Sequence, residues 1–153
     1  MKISNLIHRL MHVYWRFSRP MTLGVRALVQ DDDGRILLVK HTYVAGWHMP
    51  GGGVEAGETL EEALAKELRE EANLVPECAS KLVGLYLNTK ASRRDHVALF
   101  HITKFQQPSL PSPNHEIAEC RWFVLDELPD DTTAATLRRI DEVLNAKIPN
   151  AYW

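Results

Sequence analysis

At 153 residues, 45% hydrophobic and 25% charged, with 8 Gly and 8 Pro, the chain has room for one compact domain and the composition to give it a core. Twenty acids against 18 Lys and Arg leave a net charge of -2, which excludes a protein built to bind nucleic acid in bulk. Cys78 and Cys120 lie far apart without a CxxC partner, so neither a zinc site nor a disulfide framework is indicated, and no apolar run approaches the ~20 residues that span a bilayer.

The first predicted element is an amphipathic helix. Ile3, Leu6, Ile7, Leu10, Met11, Val13, Tyr14 and Phe17 fall on one helical face, while Asn5, His8, Arg9, His12 and Arg16 fall on the other. Arg19-Pro20 ends it, because the residue before a proline is pushed out of the α region. Bases interrupt the apolar residues and no small-residue cleavage pattern follows, so the segment is a poor signal peptide and a cytoplasmic location is expected. Lys2, Arg9, Arg16, Arg19 and Arg26 precede the first acid, Asp31. Three readings stay open: a helix docked on its own domain, a contact with an anionic membrane surface, or a contact with a partner, a homodimer included. The expected division is a helix over residues 1–19 and one domain over 20–153.

From Thr22 to Gln30 and from Arg35 to His41 the residues are mostly aliphatic or β-branched, and Asp31-Asp32-Asp33-Gly34 between them is turn chemistry, so a β-hairpin is expected. Trp47-His48-Met49-Pro50-Gly51-Gly52-Gly53 reads as an irregular loop that something can approach closely. Thr59-Leu60-Glu61-Glu62 is a capping box opening a helix to Ala72, which Asn73 can end in the left-handed conformation. Strands are expected over Lys81–Leu87, His96–Phe105 and Arg121–Leu125, with a proline-rich loop from Gln106 to Asn114 and a last helix over Thr133–Ala146. This order implies a mixed sheet flanked by helices, in the α/β or α+β class.

The chemistry gathers on the second helix. Glu67, Glu70 and Glu71 stand at i, i+3 and i+4 on the side shared with Leu60, Ala63 and Leu64, while Glu61, Glu62, Lys66 and Arg69 cover the opposite side. Carboxylates aimed at the protein body need a counter-charge, and hard oxygen clusters suit Mg²⁺ or Mn²⁺. Gly52 to Thr59 comes within one residue of a phosphate-binding P-loop, but Glu58 stands where its lysine would be and would repel phosphate. His115-Glu116 lacks the second histidine of a zinc protease, because Glu119 holds that position.

Gly52, Glu58 five residues on, and Lys66-Glu67-Leu68-Arg69-Glu70-Glu71-Ala72-Asn73-Leu74 after seven more resemble the Nudix box, G-x5-E-x7-R-E-U-x-E-E-x-G-U, where U is aliphatic. Lys66 stands where the box has arginine, and Asn73 where it has glycine. The flanking strands, the Trp47–Gly53 lead-in and Arg121-Trp122-Phe123 extend the likeness over about residues 20–147. The resemblance implies a Nudix-type α/β/α sandwich that hydrolyses a phosphoanhydride in a nucleoside diphosphate linked to another moiety, with Mg²⁺ or Mn²⁺ as cofactor. It implies Glu67 and Glu71 as metal ligands, Glu70 as a further ligand or base, the Gly52 carbonyl as a ligand, and Glu58 with Lys66 as the pair that orients Glu67. Glu116 is the candidate for the additional base that family members often carry on a later loop.

A small nucleotide is the expected partner, with Arg26 and Lys40 facing its phosphates and Trp47 stacking on its base; Arg93-Arg94, Tyr43 and Tyr86 are weaker candidates. Two further functions remain open. One is an RNA 5′-end or dinucleoside polyphosphate hydrolase, which needs a broader basic groove. The other is a Nudix-like regulatory module that binds a nucleotide without cleaving it, although Glu58, Glu67, Glu70 and Glu71 are all present. Val83–Asp95 holds no proline of the kind usual in ADP-ribose hydrolases, and there is no Ser-Gln-Pro-Trp segment of the NADH type.

Overall fold

The computed structural model describes the backbone of residues 2–153 and the side chains from Leu10 onward. The elements are helix α1 (Lys2–Ser18), strands β1 (Thr22–Val29), β2 (Ile36–His41) and β3 (Trp47–His48), helix α2 (Leu60–Ala72), strands β4 (Val75–Pro76), β5 (Lys81–Leu87), β6 (Asp95–Ile102), β7 (Phe105–Gln106) and β8 (Ile117–Phe123), and helix α3 (Ala134–Leu144). β1 pairs in parallel with β6, whose other edge pairs antiparallel with β5, giving a mixed sheet. β3, β2 and β8 form an antiparallel sheet, and β4 with β7 a short ribbon.

Period-two alternation sorts the side chains into two layers. Val25, Ala27, Val29, Leu37, Val39, Ala98, Phe100 and Ile102 share one cluster with Ala63, Leu64, Leu68 and Ala72 of α2. Their strand neighbours Leu28, Ile36, Leu38 and Leu99 share the other with Ile140 and Val143 of α3. Helices on both faces of a sheet layer make the expected α/β/α sandwich.

The expected hairpin is corrected. Asp31 to Gly34 does reverse the chain: the Asp31 carboxylate accepts the amides of Asp33 and Arg35 at 3.1 and 2.8 Å, and Gly34 takes a φ of +79°. Beyond one bridge between Gln30 and Ile36, however, the two strands diverge into different sheets. The edge of β1 that a hairpin partner would use belongs to the glycine loop, whose Gly52 and Pro50 carbonyls accept the Val25 and Ala27 amides at 2.9 Å each. A turn signal is local and fixes a reversal; which edges pair depends on what else competes for them.

Further boundaries shift: the strand expected over Arg121–Leu125 runs over Ile117–Phe123. The strand expected to run to Phe105 breaks after Ile102, because Phe105–Gln106 turns away to pair with Val75–Pro76. Trp47–His48, read as loop, pairs with Val39–Lys40, so only Met49 onward is irregular. Residues 151–153, for which no element was expected, lie along β5, where the Leu87 amide donates to the Ala151 carbonyl at 2.9 Å and the Trp153 amide to the Leu87 carbonyl at 3.0 Å. In the described part of α1, Leu10, Val13, Tyr14 and Phe17 are all exposed.

Candidate active site

α2 aims its carboxylates because both its ends are fixed. The Thr59 hydroxyl accepts the Glu62 amide while the Glu62 carboxylate accepts the Thr59 amide at 2.8 Å, completing the expected capping box. At the far end Asn73 adopts φ 51° and ψ 42°, the left-handed conformation expected of it. Leu64 and Leu68 are fully buried between them, and this holds the helix at one rotation about its axis.

That rotation separates the three glutamates. Glu71 is buried, Glu67 half-buried and Glu70 exposed. A cleft of about 480 Å³ opens beside them, lined by Gly51, Gly52, Glu67, Glu71, Arg26 and Glu116 among others. The Gly51 amide donates to Glu71 Oε2 at 2.7 Å, and Gly51 takes a φ of +139° that favours glycine. Gly52 is needed for closeness: a Cβ there would lie 2.5 Å from the Glu67 carboxyl carbon. Burial pushes the Glu71 carboxyl up to about 7, against the pull of the Gly51 amide and of Arg26. Burial also raises Glu67, partly opposed by Lys66 and reinforced by the charges of Glu70 and Glu116.

Lys66 leaves the outer side of α2, where the wheel placed it, and curls back. Its Nζ donates to both Glu58 oxygens at 2.9 and 3.1 Å and stands 3.9 Å from Glu67. A lysine thus spans the two carboxylates as one point charge. Arg26 donates from Nη1 to the Met49 carbonyl at 3.1 Å and to the Gly51 carbonyl. The Gly52 carbonyl accepts the Val25 amide, and the neighbouring Gly51 carbonyl accepts from the Arg26 guanidinium. Glu116 reaches the cleft because the Asn114 side chain accepts the Glu116 and Ile117 amides at 2.8 Å each, turning the chain out of the proline-rich loop.

Lys40 and Trp47 do not join this group. Lys40 pairs with Asp131 at 2.8 Å, and Trp47 is buried against Phe123 with ring centroids 4.8 Å apart. They are partners in the β2–β3 register, so they share a sheet face, and that face turns to α3 rather than to α2. Tyr86 is fully buried and Arg93 and Arg94 stand outside the cleft, whereas Tyr43 lines it.

Two residues that the sequence gave no reason to single out complete the surroundings. His41 Nε2 lies 3.7 Å from Glu71 Oε1, and burial, with Arg26 and His48 adding to it, lowers its pKa. Trp153 walls both the cleft and an adjoining cavity of about 670 Å³, lined by Arg26, Met49, Lys90 and the start of α3. Arg138 and Arg139 hold that segment through the Trp153 and Tyr152 carbonyls, each at 2.9 Å, and the buried Arg139 guanidinium lies 4.3 Å from the Tyr86 ring centre. These contacts join residues remote in sequence, so no local pattern announces them.

Among the described residues, no three His, Cys, Asp or Glu side chains already converge on one point. The donors nevertheless fit a hard divalent cation. They are all oxygen, the Glu71 carboxylate is buried and that of Glu67 half-buried, and a guanidinium already rests on the neighbouring Gly51 carbonyl.

The family profile for the NUDIX domain matches residues 20–144. An ADP-ribose pyrophosphatase from Methanocaldococcus jannaschii is 40% identical over 70 residues, 44% of this chain and 41% of that protein. An RNA pyrophosphohydrolase from Halorhodospira halophila is 50% identical over 53 residues, 35% of this chain and 29% of that protein. The matched stretch thus spans less than half the length of either relative. The crystal structure of a MutT NUDIX hydrolase from Burkholderia pseudomallei superposes with a TM-score of 0.68 at 27% identity, covering 80% of this chain and 97% of that one. The chain belongs to the NUDIX family, whose enzymes generally use divalent metal ions.

Proposed function

We propose that the chain is a cytoplasmic pyrophosphohydrolase, dependent on Mg²⁺ or Mn²⁺, that cleaves the phosphoanhydride of a small nucleoside diphosphate joined to another moiety. The observation that carries this reading is the seating of Glu67 against a side-chain-free Gly52 and of Glu71 on the Gly51 amide, in one cleft with Arg26 and Glu116. Glu67, Glu71 and the Gly51 carbonyl would hold the cation, with Glu70 at the solvent side of the same helix. A divalent cation bound there supplies neutralisation of the phosphate charge and a more acidic water.

The protein's own groups do the rest. Arg26, once released from the Gly51 carbonyl, gives its planar fork to phosphate oxygens. Glu116 or Glu70 takes the proton of the attacking water. Lys66 and Glu58 keep the Glu67 carboxylate pointed at Gly52. The larger cavity behind Trp153 is of the size that houses a nucleoside. A small substrate is favoured over RNA because the cleft offers a single guanidinium, with Lys90 in the adjoining cavity, whereas tracking a nucleic-acid backbone takes a series of bases.

The test is a panel of sugar nucleotides, ADP-ribose, NADH, dinucleoside polyphosphates and nucleoside triphosphates, each assayed with Mg²⁺, with Mn²⁺ and with chelator. Cleavage of one class that chelator abolishes is expected, and Glu71→Gln should reduce it about a thousandfold, the equivalent of several kcal/mol of charge stabilisation. Nucleotide binding that raises the melting temperature with no turnover at all would replace this reading with the regulatory module.

A further inference from the structure

α1 presents an apolar stripe with nothing against it. Leu10, Val13, Tyr14 and Phe17 recur at helical spacing and are 60%, 56%, 68% and 77% exposed. The sequence repeats the same spacing upstream at Ile3, Leu6 and Ile7. Single apolar side chains are ordinary on a surface, but a contiguous stripe marks a contact.

Charge states what that contact is made with. Of the 18 Lys and Arg, five lie in residues 1–30, and none of the 20 acids does, so that region carries +5 and the remainder -7. His12 and Arg16 occupy the side of α1 away from the stripe. Trp15, half-buried, lies on that same side away from the stripe, its ring edge-on to His12 with centroids 5.5 Å apart and the Arg19 guanidinium 5.6 Å from its ring centre. The geometry points to α1 as an interfacial anchor that lies in the plane of an anionic lipid bilayer, with Leu10, Val13, Tyr14 and Phe17 in the acyl boundary and Arg16 and Arg19 on the headgroup phosphates.

The acidic remainder of the chain is repelled by the same surface, so the helix lies down while the domain stands off it. The link between them is Arg19-Pro20-Met21, and the lining of the cleft begins at Thr22. A second copy of the chain is a poorer occupant. Pairing through α1 would bring two basic helices together.

The full chain is sedimented with vesicles of phosphatidylcholine alone and of phosphatidylcholine with phosphatidylglycerol, and its mass is measured in parallel by light scattering. Binding is expected to the anionic vesicles, to weaken with added salt, and to fall at least about tenfold in the double variant Tyr14→Glu, Phe17→Glu. The variant's melting temperature and its turnover of a soluble nucleotide should stay unchanged, which separates lost anchoring from lost folding. Absence of vesicle binding, equal binding to both vesicle types, or unaltered binding by the variant would overturn the anchor. A dimer that the double variant splits, without vesicle binding, would assign the stripe to a second copy. Vesicle binding is read without substrate, so its failure leaves the hydrolase reading standing.

Discussion

α1 and α2 are both amphipathic and meet opposite fates. The apolar side of α2 is fully buried through Leu64 and Leu68, and this burial turns two carboxylates away from water. The apolar side of α1 is at least as bulky and stays in solvent from Leu10 to Phe17. Amphipathicity thus states that a helix has a partner without saying where the partner lies. What distinguishes the two is the company of each stripe: α2 mixes acids with its apolar residues and is capped at both ends, while α1 has bases and histidines but no acid opposite its stripe.

Truncating one leucine in each helix would break the comparison if it is wrong. Leu68→Ala should destabilise the protein by about 3 kcal/mol, because it opens a cavity in the α2 layer. Leu10→Ala should move stability by less than about 0.5 kcal/mol. Chemical denaturation of the two variants decides the matter, and equal losses would show that α1 belongs to the core.

The difference also explains what the sequence made legible. α2 could be placed to the residue because Thr59, Glu62 and Asn73 act on backbone within a few positions of themselves. Helical spacing put Glu67, Glu70 and Glu71 on one side alike, and only the likeness to the Nudix box set Glu67 and Glu71 apart. Lys40 and Trp47 could not be placed in that way, since alternation says that strand neighbours face opposite ways without saying which way meets the cleft. The divergence of β1 and β2 and the wall at Trp153 were hidden for a related reason: each depends on an edge or a cavity built by residues outside any local sequence window. Glu116 lay between the two kinds, suggested by the family pattern and brought to the cleft by the turn at Asn114.

Lys66 sharpens the contrast between charges that serve a site and charges that only keep a helix in water. It bridges Glu58 and Glu67 at the rim of the cleft, and on α1 Arg16 has no such carboxylate. Lys66→Met should lower kcat/KM about tenfold, as expected for a group that orients a ligand, while the melting temperature changes little. Retained activity would mean that Gly52 and the packing of α2 are enough to position Glu67.

The smallest effect is expected where the two helices stop. α1 ends at Arg19-Pro20, so its end is set by steric exclusion, and α2 ends at Asn73, whose amide donates to the Arg69 carbonyl while its side chain donates to the Ser109 carbonyl at 3.0 Å. Asn73→Ala must hold a left-handed backbone without that side chain's help, at a cost of about 1 kcal/mol. Asn73→Gly restores the residue of the family pattern and relieves the backbone, but it gives up the bond to the proline-rich loop that carries Glu116 in its far flank. If Asn73→Gly recovers stability and still lowers turnover, the asparagine is holding that loop to α2. If it recovers both, the position matters for backbone conformation alone.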